Sequence, residues 1–355
     1  MCLNAQFENK FNSFIVVVVF ERVGLSMAKK EISIKVDTVV NDHWTVTQKI
    51  GEGSFGSVYR VRDECGGQYA MKSSDEKENV GTLAREVLVM ASYEDSKHGL
   101  KLIEYCHQDR FSFIVMTLAG KNLTELRRSM KHRKFTLETT INLGIQMLEA
   151  LRDLHEIGYV HRDIKGSNYT IGINADDKRN VYLIDFGMAR RYKTDEGILI
   201  PPRSMAKFRG TIRYASPHCH ARKDYGRRDD LYSWLYTLIE FRRGYLMWRD
   251  VRDENNVARM KNQLIPSEIL GNMPKQFYEI YAKVNGMTFS ETPNYAWFIS
   301  QLENVLKYLK RDRAAPYDWE IKKCSSSEQA AIEDAQNEQI TALQKQARIG
   351  DKEKP

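Results

Sequence analysis

From Trp44 onward, apolar and polar residues alternate in short runs separated by turn-forming residues. Trp44–Ile50, Gly56–Arg62 and Gln68–Lys72 read as strands, with Cys65-Gly66-Gly67 as the break between the second and third. Leu83–Ser92 reads as a helix, after which Leu100–Cys106 and Phe111–Leu118 resume the strand pattern. Beyond Gly120 the character changes. Thr136 is placed to cap a helix on which Ile141, Ile145, Leu148 and Leu151 recur at helical spacing, and Gly158 marks its end. Val181–Ile184 is a further strand. The pattern predicts a small, mostly β N-terminal part and a larger helical C-terminal part, without an internal repeat.

Both ends depart from this pattern. Residues 1–40 read as a poorly ordered extension whose one strong feature is the β-branched run Phe14–Phe20. That run is far short of the roughly 20 residues that span a bilayer. As a signal segment it would have only Ser26-Met27-Ala28 as a poor cleavage site, and Met27 would itself serve as a start. Residues 320–355 read as a tail. Ser325-Ser-Ser327 is a linker signal, Ala331, Ile332, Ala335, Ile340 and Leu343 form a thin apolar stripe on a marginal helix, and Gly350–Pro355 is expected to be disordered.

Composition narrows the class. A chain of 355 residues with 42% hydrophobic and 28% charged residues is neither a polytopic membrane protein nor wholly disordered, and is long enough for two domains or two lobes. Lys+Arg 54 against Asp+Glu 47 leaves +7, a bias towards anionic partners too weak to choose among them. The five cysteines are scattered and contain no CxxC, which favours a reducing compartment. His218-Cys219-His220 lacks a second ligand cluster at finger spacing, so a zinc site is not expected. The basic stretches Arg127-Arg128 and Lys131-His-Arg-Lys134 have no interleaved aromatics and read as a solvated helix end and loop.

Four constellations carry chemistry. Gly51-Glu-Gly53-Ser54-Phe-Gly56-Ser-Val58 lies between two predicted strands. Glycines at this spacing also mark ordinary hairpins, and the strand–loop–strand setting excludes the dinucleotide fingerprint, which needs a helix next. It suits a flap whose backbone lies over a triphosphate. Ala70-Met71-Lys72 follows. Alone, Lys72 reads as a surface lysine; held by a carboxylate it can reach the α- and β-phosphates, with Glu86 the best candidate and Glu76 and Glu78 as rivals in a polar loop. In His161-Arg162-Asp163-Ile-Lys165-Gly-Ser-Asn168, Asp163 is suited to orient a substrate hydroxyl, Lys165 to meet a γ-phosphate and Asn168 to offer an amide oxygen to a metal ion. Asp185, in Ile184-Asp185-Phe186-Gly187, supplies the hard carboxylate that Mg²⁺ prefers.

In joint order and spacing these motifs resemble the eukaryotic protein kinases, from about Trp44 to Trp319. Kinases usually close the activation segment with Ala-Pro-Glu. This chain has Gly210-Thr-Ile-Arg-Tyr-Ala-Ser-Pro217 without the Glu, followed by Arg227-Arg228-Asp229-Asp230-Leu231, and so resembles the casein kinase 1 family. Pro201-Pro202-Arg203, Phe208-Arg209-Gly210 and Pro316-Tyr-Asp-Trp-Glu320 are most similar to its tau-tubulin kinase branch. The resemblance implies an α+β, bilobal protein kinase fold over residues 44–319, with a small β-rich N-lobe of about 44–118 and a larger helical C-lobe of about 119–319.

It also implies a serine/threonine kinase that uses ATP and Mg²⁺, with Lys165, two residues after Asp163, as the serine/threonine signature. Gly51, Gly53, Ser54, Gly56, Val58 and Ala70 would cover the nucleotide, Lys72 and Glu86 would form the ion pair that holds its phosphates, and Met116 would guard the back of the adenine pocket with Thr117 and Leu118 as hinge. Asp163 would be the catalytic base, Lys165 would steady the transferred group, Asn168 and Asp185 would hold Mg²⁺, and Asp230 would brace the catalytic loop. The alternative is a catalytically weak or inactive scaffold of the same fold, which would be expected to have lost at least one of these residues. His218-Cys-His220 replaces the usual continuation and blurs the substrate-side loop.

Arg203 and Arg213 match positions that resemble the anion site of casein kinase 1 enzymes, where an acidic or phosphorylated segment docks. The expected partners are therefore protein substrates with acidic or phosphate-primed sites, with no nucleic acid and no membrane. The expected state is a cytoplasmic monomer, with the nucleus as a second location.

Overall fold

A computed structural model describes residues 33–53, 56–75, 81–107 and 111–321. The chain forms two compact units. One takes in the described residues up to Leu83 together with Ile103–Val115; the other takes in Ala84–Leu102 and the described residues from Met116 onward.

The N-terminal unit is built on a sheet of β1 (Val39–Val40), β2 (Trp44–Gly53), β3 (Gly56–Arg62), β4 (Gln68–Asp75), β5 (Leu102–His107) and β6 (Phe111–Thr117). The strand order is β1-β2-β3-β4-β6-β5, and the pairs from β1 to β4 are antiparallel. Because side chains alternate across a strand, Tyr59, Val61 and Met71 face one way and pack with Val46, Trp44, Cys106, Phe113 and Val115 into one core. The opposite face carries Val58, Ala70 and Lys72. Register aligns Gly51 with Val58 and Val58 with Lys72, so three residues from two motifs stand in one cross-strand row.

Residues 34–40, assigned from sequence to the extension, join this sheet. Val39 and Val40 pair with Thr45 and Trp44, and Ile34 packs on the core while its amide donates to the Tyr59 hydroxyl at 3.0 Å. Ile34 and Val40 pack on this core, while Val36 and Val39 stay exposed. The Phe14–Phe20 run, Met27, Ser54, Glu76, Glu78 and the tail stripe Ala331–Leu343 lie outside the described residues.

The second unit contains α1 (Thr82–Ser92) from Ala84 onward, α2 (Leu123–Ser129), α3 (Leu137–Glu156), β7 (Tyr159–Val160), β8 (Tyr169–Ile171), β9 (Val181–Leu183), β10 (Arg190–Arg191), α4 (Pro217–His220), α5 (Arg227–Arg243), α6 (Glu254–Gln263), α7 (Pro266–Leu270), α8 (Lys275–Gly286) and α9 (Tyr295–Tyr308). Thr136 caps α3, its hydroxyl accepting from Thr139 N at 3.2 Å, and Ile141, Ile145, Leu148 and Leu151 are buried. The carboxylate of Asp318 accepts from Thr136 N, Thr136 Oγ1 and Thr139 Oγ1, tying the segment after α9 to the start of α3. Helix α5 is buried on nearly every face, and its Trp234 indole donates to Gly144 O of α3 at 2.9 Å. Among the described residues no helix is long and apolar enough to cross a membrane.

Candidate active site

Two short ladders set the geometry of the candidate site. Antiparallel pairing of β7 with β10 and of β8 with β9 brackets two loops at both ends: 161–168 between β7 and β8, and 184–189 between β9 and β10. Pairing therefore brings the His-Arg-Asp and Asp-Phe-Gly motifs side by side. Ile184 N donates to Asn168 O at 3.0 Å, and the His161 ring joins them, accepting from Asp163 N at Nδ1 (3.3 Å) and donating from Nε2 to Ile184 O (3.1 Å).

Asp163 is buried, and each of its carboxylate oxygens has a fixed donor. Lys165 Nζ donates to Oδ2 at 2.7 Å and to Thr211 Oγ1 at 3.0 Å, while the Thr211 hydroxyl donates to Oδ1 at 2.7 Å. Asn168 Nδ2 donates to Asp163 O at 2.8 Å. With its amide hydrogens turned to Asp163, the amide oxygen of Asn168 is left for another partner. Gly210, just before Thr211, has φ +94°, and a Cβ there would meet Arg162 O at 2.4 Å, so only glycine lets the segment approach this closely.

The loop is held from below by Asp230 on α5. Its carboxylate accepts from the backbone of His161 (2.8 Å) and Arg162 (2.9 Å), from the Tyr225 hydroxyl (3.0 Å) and from His155 Nε2 (2.9 Å). Burial alone would raise this carboxyl, but the bonds from His155 and His161 more than offset it and hold it below its ordinary value. Burial also lowers the His155 pKa, so the neutral ring donates from Nε2 to Asp230 and accepts from the Tyr295 hydroxyl at Nδ1. The bonds from Asp230 hold Arg162 in a left-handed backbone (φ +70°), and Asp185 of the second motif is also left-handed (φ +68°). Arg162 Nε donates to Met188 O at 2.6 Å, and Arg85 of α1 to Gly187 O at 3.3 Å.

The remaining sequence-predicted residues fall as follows. Gly51, Gly53, Gly56 and Val58 form the β2–β3 hairpin, in which Gly53 pairs with Gly56. Gly56 has φ +147°, and a Cβ would meet Ser73 O at 1.7 Å. Ala70 and Lys72 are buried on β4 of the N-terminal unit, while Glu86 is buried on α1, which belongs from Ala84 to the other unit. Met116 and Leu118 are buried.

Arg203 and Arg213 do not share a partner. Arg203 donates to Asp224 through N (2.9 Å), Nε (3.2 Å) and Nη2 (2.7 Å), and Arg190 Nη1 reaches both oxygens of the same carboxylate at 2.7 and 2.9 Å. Arg213 lies 3.5 Å from Glu240 and donates to Arg249 O at 3.2 Å. Both carboxylates are buried and need cationic partners, so each arginine is drawn to its own. Burial would raise the Asp224 pKa, but the bonds from Arg203 and Arg190 carry it well below the usual carboxylate range. Burial lowers the Arg162 pKa to about 10, helped by Arg190, Arg203 and Arg85. Asp224, Glu240 and His155 escaped the sequence reading because none lies in a motif or an apolar period.

His218, Cys219 and His220 point to different partners. His218 faces Asp229 at 3.5 Å, Cys219 accepts from the Ser216 hydroxyl at 3.2 Å, and the His220 ring stacks on Phe208. Among the described residues no three His, Cys, Asp or Glu side chains are grouped as metal ligands.

The protein kinase domain family matches residues 44–319. A Dictyostelium discoideum protein named a probable serine/threonine-protein kinase is 35% identical over 293 residues, spanning 82% of this chain and 59% of that relative. The serine/threonine-protein kinase spe-6 of Caenorhabditis elegans is 32% identical over 290 residues, 79% of this chain and 76% of its own length. Casein kinase I homolog 3 of Schizosaccharomyces pombe is 31% identical over 294 residues, 80% of this chain and 66% of its own. A matched span that contains both catalytic motifs, relatives of this kind, and a β-rich N-terminal unit followed by a helical one lead to one conclusion: the chain is a serine/threonine protein kinase of the casein kinase 1 family.

Proposed function

We propose that the protein transfers the γ-phosphoryl group of ATP, as its Mg²⁺ complex, to serine or threonine hydroxyls of protein substrates. The observation that carries this reading is the hydrogen-bonded triangle of Asp163, Lys165 and Thr211, which fixes both oxygens of one buried carboxylate. Asp163 accepts the proton of the substrate hydroxyl as its oxygen bonds to the γ-phosphorus and the bond to the ADP oxygen breaks, ADP leaving with the electron pair. Lys165 counters charge on the group in transfer. The Gly51–Gly56 hairpin, Val58, Ala70, Lys72 and Glu86 serve the nucleotide, as do Met116 and Leu118.

Asn168 and Asp185 fit Mg²⁺ by donor chemistry: an amide oxygen and a carboxylate, the few hard oxygen ligands a protein supplies when phosphate and water complete the shell. When bound, Mg²⁺ neutralises charge on the β- and γ-phosphate oxygens.

The finer part of the proposal is a preference for acidic or phosphate-primed sites. Arg203 and Arg213 support it, since their side chains remain 46% and 40% exposed despite their internal partners. The branch placement rests on the Pro201-Pro202-Arg203, Phe208-Arg209-Gly210 and Pro316–Glu320 segments. The test is a degenerate Ser/Thr peptide array, with and without phosphorylated members, given ATP, Mg²⁺ and either wild type or Asp163→Asn. Transfer by wild type alone supports the reading; equal signals from both proteins overturn it.

A further inference from the structure

Four successive carbonyls of the loop after Thr211 are taken by side chains from elsewhere in the unit. Lys261 Nζ, on α6, donates to Ile212 O at 2.8 Å and Ala215 O at 2.7 Å. The Trp248 indole donates to Arg213 O at 2.7 Å, and the Ser233 hydroxyl to Tyr214 O at 2.9 Å. Lys261 alone of these three grips both ends of the turn. Upstream, the same turn begins at Thr211, whose backbone oxygen accepts from Tyr214 N and Ala215 N while its hydroxyl meets Asp163.

Lys261 is only 2% exposed, and among the described residues no carboxylate stands within ion-pair distance of it. Its ammonium instead lies over the rings of Tyr236 (5.2 Å) and Trp248 (5.0 Å) and 3.2 Å from His220 Nε2. An ammonium buried without a counter-ion is costly, and here burial pushes its pKa well below the ordinary lysine value. Such a group adds little to fold stability by its charge. What it supplies is several donors in fixed directions, two of which close the turn 212–215. The sequence offers a reason for an anchor here, because Ser216-Pro217-His218 stands where kinases usually carry Ala-Pro-Glu.

We propose that Lys261 is a positioning residue: it fixes the turn Ile212–Ala215, and through it the Thr211 hydroxyl against Asp163, in place of the carboxylate anchor of the usual closing motif. This rests on the reading of Asp163 as the base. Lys261 touches neither reactant, so its removal acts on how the protein substrate is met and not on how ATP is bound.

The full chain carrying Lys261→Met or Lys261→Gln is compared with wild type and Asp163→Asn, with one fixed Ser/Thr peptide from the array and ATP. Hydrogen exchange of the backbone amides in 211–216 is followed in parallel. Methionine keeps the bulk without a donor and removes a buried charge that has no counter-ion and is costly to bury. Losing two charge-assisted hydrogen bonds should lower kcat/KM for the peptide by about ten- to a hundred-fold, leave the ATP KM within about two-fold, and speed exchange in 211–216 but not in α5. Glutamine, one atom shorter, can hold one carbonyl and should fall between. Wild-type peptide kinetics and wild-type exchange in either folded variant overturn the proposal. If wild type itself transfers nothing, the kinase reading fails, and exchange alone decides the role of Lys261.

Discussion

The Thr211 hydroxyl donates to Asp163 Oδ1 at 2.7 Å while accepting from Lys165 Nζ at 3.0 Å, so a residue of the activation segment closes the hydrogen-bonding of the catalytic loop. The carboxylate cannot turn without breaking a bond at either oxygen, as a base proposed for proton transfer requires. Thr211→Val preserves shape and removes the hydroxyl. One such bond is worth about 1 kcal/mol, so kcat should fall by about five-fold with the ATP KM unchanged, and Thr211→Ser should restore most of it. Steady-state kinetics showing valine equal to threonine would place this hydroxyl outside catalysis.

Asp230 should be a stability residue. It is buried and holds two backbone amides, Tyr225 and His155. Asp230→Ala leaves those donors facing an apolar methyl group at a cost of about 3–5 kcal/mol, or a Tm lower by roughly 10 °C. A melting curve within about 2 °C of wild type would show that Arg162 keeps its left-handed backbone without this brace.

Asp224 sets an acid limb. Its folded-state pKa is depressed by Arg203 and Arg190, so its contribution is complete above the ordinary aspartate value of about 4 and is lost as pH falls through the lower folded value. Asp224→Asn should therefore lower Tm most near neutral pH, and the two proteins' Tm values should converge as the solution is acidified below about pH 4. A constant Tm difference across that window would exclude the linkage.

Substrate choice should follow charge. Arg213→Ala should reduce the ratio of specificity constants for phosphate-primed over neutral peptides, and in wild type that ratio should shrink as salt rises, since part of the attraction is screened. A primed peptide used no better than its neutral counterpart at low salt would leave Arg213 as the partner of Glu240 alone.

Much of this was legible in the sequence because the catalytic groups come in contiguous motifs and the strands in alternating runs. The β2 pattern read to Ile50, yet the strand runs on to Gly53, since its glycines pair back on β3 with no apolar side chain to announce it. The cap Thr136 was visible, whereas Asp318, which holds it, is remote in sequence and meets it only when the chain folds. The charges of Arg203 and Arg213 were plain, but the buried carboxylates that take them were not, because Asp224 and Glu240 look like ordinary surface acids. Lys261 sits in the polar stretch Glu254–Gln263 and reads as solvated; only the packing of α6 under the activation segment buries it.

Asp163, as the proposed base of phosphoryl transfer, accepts the substrate proton and does not grip ATP. Single-turnover transfer to a peptide, measured together with ATP affinity for wild type and Asp163→Asn, tests it most directly. The asparagine cannot accept the proton, so the rate should fall by about 10²–10⁴-fold, while the affinity for ATP with Mg²⁺ stays within about two-fold of wild type. A variant that transfers phosphate at the wild-type rate, or that loses transfer only because it no longer binds ATP, would remove Asp163 from the role of base.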